Sequence, residues 1–586
     1  MKKILLISFV FFSVLNSKAQ LASETIIGRT MYDVQCNDSP YGQLVHNADG
    51  TMSAVWNFSP DSTTNFPNRG TAYNYFDGAN WAAMPTTRID PYRTGYSSIV
   101  TTSSGHEITI QHTGTGMSVN YCPVKGSGSW SASKPWGTNN YDTWAKSASD
   151  GDSVYAIWHG TGTSGTPIAG QDGPLYFVSS FDGGQTWSPK TIIHEIDSTF
   201  YSGFGGEHYD IDASAGVVAI LFGDPRTDLG VLKSHDGGAT WTKTIIETNP
   251  LPRYGNFVAI SDTNSDGIID TVQTSSGNQS LLIDNDGMCH VWFTQLRWYC
   301  DISTVGIYNY FPFDDGLQYW NEAMGTDNFI KIAEQQDLNG NGILDDALQG
   351  SSCVYIGGPN SYRLSKTGFP SAGIDANGTI YLAYQTQTEN SDSALFGRFH
   401  THPFVSTLPK IAGSYNYWNW TYPFDITITV AEGGNSEFEE GVFPTMARRV
   451  SQYAYIMYER DQVPGLHTTS CGILPDSYTN EIVVAQVYAT TVGVKELQND
   501  MISAISVSPN PASDKIVLQF LLKEKGNGII EIKSMTGTTY YSRPGRVLSK
   551  GLNVEEISVA DFPAGVYFCS LIVNGKIVVE KLVVSH

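Results

Sequence analysis

The sequence predicts an all-β chain built from one repeated unit of about four strands, followed by a smaller all-β domain. Three observations carry this. Two near-identical octads, Ser180-Phe181-Asp182-Gly183-Gly184-Gln185-Thr186-Trp187 and Ser234-His235-Asp236-Gly237-Gly238-Ala239-Thr240-Trp241, each stand between two apolar runs of strand character. The composition, with 58 glycines, 12% aromatic residues and only 16% charged residues, suits short strands and tight turns. A strand–turn–strand pattern also recurs every 45–90 residues, roughly, the spacing of repeat architectures.

Each octad reads as a hairpin turn. Asp-Gly-Gly supplies the positive-φ positions, the Asp carboxylate can accept backbone N–H bonds across the turn, and the Thr methyl and Trp indole pack beneath it. With the octads as a ruler, the first two strands of the unit can be traced seven times: 44–45 with 52–56, 99–101 with 107–111, 145–148 with 154–158, 209–212 with 217–222, 281–283 with 289–293, 372–374 with 379–384, and 445–447 with 453–458. Turns such as Asn47-Ala48-Asp49-Gly50, Asp284-Asn285-Asp286-Gly287 and Asp375-Ala376-Asn377-Gly378 fit tight hairpins. Worn-down octads are read at Phe76-Asp77-Gly78-Ala79-Asn80-Trp81 and from Asp314-Asp315-Gly316 to Trp320. Such a repeat predicts the blades of a β-propeller, seven by this count and six if one weak unit is not a blade. Residues 25–34 are expected to pair with the strand near 482–487, so that both ends of the ring meet in one blade.

The spacing S-x-D-x-G-x-T-W resembles the Asp-box, or BNR repeat, of sialidase-like β-propellers. In that family the box is a folding device on the face opposite the active site, so the resemblance implies a scaffold and not an activity.

Met1-Lys2-Lys3, an apolar run over 4–15 and Ser17-Lys18-Ala19 before Gln20 read as a secretory signal peptide over 1–19. No later run is long and apolar enough for a membrane span, so none is expected. A net charge of −23 argues against a nucleic-acid partner, because phosphate contacts need clustered Lys and Arg. Cys36, Cys122, Cys289, Cys300, Cys353 and Cys471 precede residue 500, and in an oxidising compartment some disulfides are expected, Cys289 and Cys300 being the nearest pair in sequence.

Two insertions into the propeller, which is read over 20–495, share the pattern D-x-N-x-[DN]-G-x-x-D at 262–270 and 337–345. Oxygen side chains at positions 1, 3, 5 and 9, a Gly at 6 and the carbonyl of 7 suit a hard cation. The expected calcium ligands are Asp262, Asn264, Asp266, Ile268 and Asp270, then Asp337, Asn339, Asn341, Ile343 and Asp345. These loops look like the calcium loops of dockerin and thrombospondin-type repeats, although position 12 is Gln273 in one and Leu348 in the other rather than Glu.

After a linker over 496–506, residues 507–586 open on Val507-Ser508-Pro509-Asn510-Pro511-Ala512. They continue through Met535-Thr536-Gly537 and Pro563-Ala564-Gly565-Val566-Tyr567, and end with Asn574-Gly575-Lys576 before Lys581-Leu582-Val583-Val584. This resembles the C-terminal sorting domain of type IX secretion in Bacteroidota, a small β-sandwich. The resemblance implies a Gram-negative host, the type IX machinery as a partner and export through the outer membrane.

If the octads mark one face, loops entering first strands and leaving second strands share the other. That rim collects Arg88, Asp90 and Arg93; Tyr141, Asp142 and His159; Glu207, His208 and Asp210; Asp224 and Arg226; Glu439 and Glu440; and Glu459, Arg460 and Asp461. The catalytic candidates are Arg88, Asp90, Glu207, Asp224, Arg226, Glu440 and Asp461, since paired carboxylates with arginines could support glycoside hydrolysis. Sialidases carry their first arginine in an Arg-Ile-Pro motif at the start of the first blade, where this chain reads Tyr41-Gly42-Gln43-Leu44. Arg448-Arg449 could stand in for a later arginine but fall at the end of a first strand, away from that rim. His400-Thr401-His402 puts two imidazoles on one strand face, and the aromatic stretch from Tyr415 to Tyr422 could stack on sugars or pack between blades. Two readings follow. One is an exported binding module for extracellular glycans or proteins; the alternative is a sialidase-like glycoside hydrolase.

Overall fold

The structure is a computed structural model. It describes residues 21–585 except 62, 64, 139–140, 163–165, 252–260, 302–308, 312–313, 336–365, 393–397, 422, 428–439, 462–478, 490–501, 523–524, 535–537 and 574–575. The segment read as a signal peptide, the second predicted calcium loop, Glu439, Cys353 and Cys471 therefore lie outside the described residues. The chain divides into two compact units, residues 18–490 and a second that holds 491–586. The described residues contain no α-helix.

Among the described residues the larger unit contains, besides a separate two-stranded ribbon of Lys410–Ile411 and Ser414–Tyr415, seven antiparallel sheets of three to five strands, in which successive strands mostly pair in chain order. Their first strands are Leu44–His46, Thr94–Thr101, Thr143–Asp150, Tyr209–Ser214, Val272–Ile283, Thr367–Ile374 and Glu440–Met446, and the sheets are numbered 1 to 7 in that order. Each predicted strand pair is present, and the strands run longer than their apolar cores. Each first strand packs against the first strand of the next sheet, and sheet 7 lies against sheet 1. Apolar layers fill the spaces between most neighbours: Trp158 and Val178 between sheets 2 and 3, Phe222 and Phe177 between 3 and 4, and Trp56 and Met457 between 1 and 7. The N-terminal strand Leu21–Thr30 completes sheet 7 by pairing with Asn480–Tyr488, with Thr25 opposite Val484 and Gly28 opposite Ile482.

The octads close their turns as the residue types require. In the first, Asp182 accepts from the Gln185 and Thr186 amides (3.0 and 2.9 Å) and from the Thr186 hydroxyl (2.6 Å). Ser180 Oγ donates to Asp182 and accepts from the Gly184 amide. The second repeats this through Ser234, Asp236, Gly238 and Thr240. Gly183, Gly184, Gly237 and Gly238 all have φ between 72° and 91°, where a Cβ would be strained. Trp187 meets Trp136 edge-on at 5.3 Å and Trp241 meets Phe177 at 5.2 Å, so each indole also ties its turn to a neighbouring layer. The segment Asp314 to Gly316 departs from its reading. It leads into the strand Leu317–Asn321 instead of leaving one, and Asp314 pairs with Arg297.

The nearest cysteines in sequence, Cys289 and Cys300, do not pair. Cys289 starts the strand Cys289–Tyr299 and Cys300 follows its end, so an extended backbone holds them apart at over 30 Å, roughly. Cys122, Cys289 and Cys569 are buried thiols.

The C-terminal unit is two sheets with a shared core of Ile516, Leu518, Phe520, Ile532, Cys569 and Leu571 among others. One sheet holds Ile502–Ser508, Lys515–Leu522 and Gly551–Ser558; the other holds Thr539–Leu548, Gly526–Ser534, Gly565–Val573 and Lys576–Val584. Its first strand begins inside the stretch read as linker.

Candidate functional site

The first strands of all seven sheets line one cavity of 240 Å³. One of its ends is closed by the chain itself. Having completed sheet 7 at its outer edge, the backbone must cross to the centre to begin sheet 1, and residues 31–43 make that crossing. Pro40, Tyr41 and Gly42 form part of the cavity wall.

A repeated backbone device grips this crossing segment. Tyr96, Trp144, Glu207, Gly277, Phe369 and Phe443, at the starts of sheets 2 to 7, all have left-handed φ, from 53° to 92°. For a non-glycine residue this costs ~1–2 kcal/mol. In four cases a side chain of the preceding sheet accepts the bulged amide: Asn57 for Tyr96 (2.6 Å), His112 for Trp144 (3.3 Å), Asn278 for Phe369 (2.7 Å) and Gln385 for Phe443 (2.7 Å). Burial drives the pKa of His112 down to about 3, which keeps that imidazole a neutral acceptor. The bulge turns the ring-forming side chains inward, where Tyr96, Phe369 and Phe443 cluster with Cys36 and Tyr41 of the crossing segment.

Sheet 4 presents Glu207 in place of an aromatic ring. Its carboxylate accepts from the Asn37 amide (2.5 Å), the Asn37 side chain (2.6 Å) and the Asp38 amide (3.1 Å). Ser39 donates to the Gly277 carbonyl, and the buried Lys146 ammonium donates to the Ser39 and Pro40 carbonyls, each at 3.0 Å. Burial raises the Glu207 pKa against the pull of Lys146; burial likewise lowers that of Lys146 against the pull of Asp210 and Glu207.

His208 lies between Asp38 (3.2 Å) and Asp224 (3.8 Å). Burial opposes its charge, yet these two carboxylates hold its pKa up at about 9. Asp224 also accepts from Arg226 (2.8 Å) and from the Gly205 amide (2.7 Å). Although burial would raise it, Arg226 and His208 keep Asp224 far below the usual carboxylate range.

The structure brings Glu207, His208, Asp210, Asp224 and Arg226 together, but under the crossing segment and not around an open funnel. The other predicted residues serve separate local roles. Asp90 is buried and accepts from Thr71, Thr94 and Asn120, while Arg88 donates to the Asp90 and Arg69 carbonyls. Glu440 is buried and accepts the Thr401 amide at 2.6 Å; Asp461 is its partner in strand register. Glu459 binds Gln35 and Asn480, and Arg460 binds Glu24 and Glu481. His402 pairs with Asp425 at 2.7 Å. In the aromatic stretch, Trp420 packs on Trp292 and Tyr319, while Trp418 is exposed.

The cavity's other end is built by Arg448 and Arg449, at the ends of the first strands. Arg448 reaches from sheet 7 to Asp212 of sheet 4 (2.9 Å) and to the Ile283 carbonyl of sheet 5. Arg449 is exposed. Sequence reasoning had set these two aside because they lie off the predicted rim. The bulge ring was missed as well, although Phe369-Pro370-Ser371 and Phe443-Pro444-Thr445 repeat visibly.

Residues 506–585 match a family model described as a secretion system C-terminal sorting domain. The C-terminal unit is a sorting domain. It directs the protein to the cell surface or the extracellular space and implies contact with the type IX secretion machinery. Among the described residues no helix is long and apolar enough to cross a membrane. A search of the curated proteins found no match.

Solved structures with similar architecture include a protein of unknown function from Dyadobacter fermentans, at 12% identity and a TM-score of 0.37, covering 80% of this chain and 98% of that one. PorZ, a surface component of the type IX secretion system of Porphyromonas gingivalis, aligns at 11% identity and a TM-score of 0.35, over 95% of this chain and 60% of PorZ. Trypanosoma rangeli sialidase aligns at 9% identity and a TM-score of 0.37, over 94% of this chain and 89% of the sialidase. At these scores none of the three assigns a role to a residue of this chain.

Proposed function

We propose that the seven sheets are the blades of one closed propeller, which works outside the cell as a binding module for extracellular glycans or proteins. The cyclic contacts of the first strands, their shared cavity and the two-ended sheet 7 support the propeller. One observation favours binding over hydrolysis. The carboxylates that a glycosidase would present on the rim are buried and already hold the chain's own donors, with Glu207 covered by Asn37 and Asp38. A general acid and a nucleophile must reach a glycosidic bond, and these do not. The exported protein should turn over no member of a panel of fluorogenic glycosides, sialosides included, while retaining ligands on a glycan or surface-protein array. Turnover that is lost in Asp224→Asn would replace this reading with the hydrolase.

Calcium is part of the proposal. In the loop at 262–270, Asp262 accepts the Asp266 and Gly267 amides, Asn264 accepts the Asp266 amide and Asp266 accepts the Ile268 amide, so four oxygens of three side chains fold around one turn. Asp270 faces Thr263 and would have to turn to complete a cation shell. Among the described residues no three His, Cys, Asp or Glu side chains already stand as a metal cage. Millimolar calcium after EDTA should raise the melting midpoint, by ~2.7 kcal/mol of stability at 100 times the dissociation constant. Asp262→Ala should remove that share of the rise due to this loop, and an unchanged midpoint would make it an ordinary turn.

A further inference from the structure

The free hydrogen-bonding capacity of the blind channel is one-sided. At its inner end Lys146 gives two of its three ammonium N–H groups to Ser39 and Pro40; among the described residues no oxygen accepts the third, and the ammonium lies 5.3 Å from the Tyr41 ring centroid and 6.0 Å from that of Tyr209. At the mouth, Arg448 uses Nε on Asp212 and Nη2 on the Ile283 carbonyl, leaving Nη1 unspent. Arg449 uses only Nη1, on the Asn47 carbonyl at 3.1 Å. The carboxylates are occupied. Asp210 accepts the Ile211 and Leu281 amides, each at 2.9 Å, and Asp212 accepts the Ile283 amide at 2.7 Å as well as Arg448. At the end of the strand Thr94–Thr101, the Thr101 hydroxyl is buried without a partner among the described residues.

Three cationic side chains thus face two carboxylates inside a chain whose net charge is −23. Spare cationic donors stand at both ends of the cavity. The layer of Lys146 and Asp210 lies two strand residues from that of Asp212 and Arg448, a rise of about 7 Å. An anion that meets spare ammonium and guanidinium donors gains charge-assisted bonds. A cavity of 240 Å³ admits a molecule of about metabolite size and excludes a polymer.

We propose that the channel binds a small dicarboxylate, one carboxylate at Arg449 and Arg448 in the mouth and the other toward Lys146. This assignment stands on the channel alone and is independent of what the outer surface binds. L-malate and succinate serve as probes in calorimetric titration of the exported chain, against acetate and against sodium chloride at equal ionic strength. The dicarboxylates should bind at least tenfold more tightly than acetate, and chloride should give no saturable heat. Arg449→Gln should weaken malate at least tenfold, while Arg449→Lys, which keeps the charge, should stay within threefold. The Arg449 side chain is exposed, so both variants should fold, and an unchanged melting midpoint checks it. Absence of malate binding, equal affinity for acetate, or Arg449→Gln binding like the parent would each overturn the proposal.

Discussion

At the closed end of the channel Glu207 and Asp224 are buried, His208 is half-buried, and all three are bonded to groups of the chain itself, whereas at the open end Arg448 and Arg449 keep donors that meet no acceptor among the described residues. Both ends looked alike in sequence, as charged residues on loops at the edge of a ring. What separates them is satisfaction, not charge. A buried carboxylate that already accepts three bonds fixes a backbone; an exposed guanidinium with spare N–H groups can still meet a ligand. The predictions below widen or collapse that difference.

The largest effect is expected at Asp224. Replacing it by Ala removes the carboxylate that Arg226 and His208 share and the acceptor of the Gly205 amide. Breaking a buried ion pair from one side costs about 3–5 kcal/mol. Urea denaturation of the exported chain should show that loss in the transition of the larger unit. A loss below about 1 kcal/mol, the scale of an exposed ion pair, would mean that the closed end is as solvated as the mouth.

Titration of His208 comes next. Its folded pKa of about 9 lies above the ordinary value of about 6.5, so its stabilisation is complete below pH 6.5 and is lost as pH rises through 9. The shift corresponds to about 3 kcal/mol. Asp38 and Asp224 are the carboxylates set against it, and Arg226 shares Asp224 with it. Asp210, pushed up to about 6 by burial, adds a separate decline between about pH 4 and 6, the interval between its ordinary and folded values. Melting midpoints from pH 6 to 9.5 should fall for the parent and run flatter for His208→Gln. Parallel curves would place the neutral imidazole in the folded state.

Asn37→Ala should cost less, toward the lower end of the range of about 1.5–3 kcal/mol for a bond to a charged acceptor. Only the side-chain donor to Glu207 disappears, while the Asn37 and Asp38 amides remain. The same denaturation experiment reads it. If Asn37→Ala also exposes glycosidase turnover, the crossing segment is a cover over a competent site and not a structural closure.

Much of this fold was legible because its turns are local. Asp182 and Thr186, or Asp284 and Gly287, satisfy one another within a few residues, and residue types at that spacing state the turn outright. The closing strand was readable for a related reason, since an apolar strand ahead of the first unit needs a partner at the last. The bulge ring was not readable. Left-handed Tyr96, Phe369 and Phe443 break the preference of that region for Gly, Asn and Asp, and their compensation comes from Asn57, Asn278 and Gln385 on other sheets. The closed end was hidden for the same reason. Asn37 and Glu207 are 170 positions apart in the chain, and no local pattern pairs them. Nearness in sequence misled for Cys289 and Cys300, because geometry decides which thiols can meet and an extended strand holds these two apart.

The smallest effect should come from Arg449→Gln, and it isolates the comparison. Arg449 has one side-chain bond, to the Asn47 carbonyl at 3.1 Å, and its side chain is exposed. What the fold needs from this position is backbone, because the Arg449 carbonyl meets His46 and its backbone makes an isolated bridge to Ile374 in sheet 6. Glutamine keeps both, so stability should change by no more than about 0.5 kcal/mol. Set beside Asp224→Ala, this gives two charge removals on one channel that differ several-fold in stability. Should Arg449→Gln instead unfold the larger unit as Asp224→Ala does, the mouth would be as structural as the closed end, and its spare donors would lose their claim to a ligand.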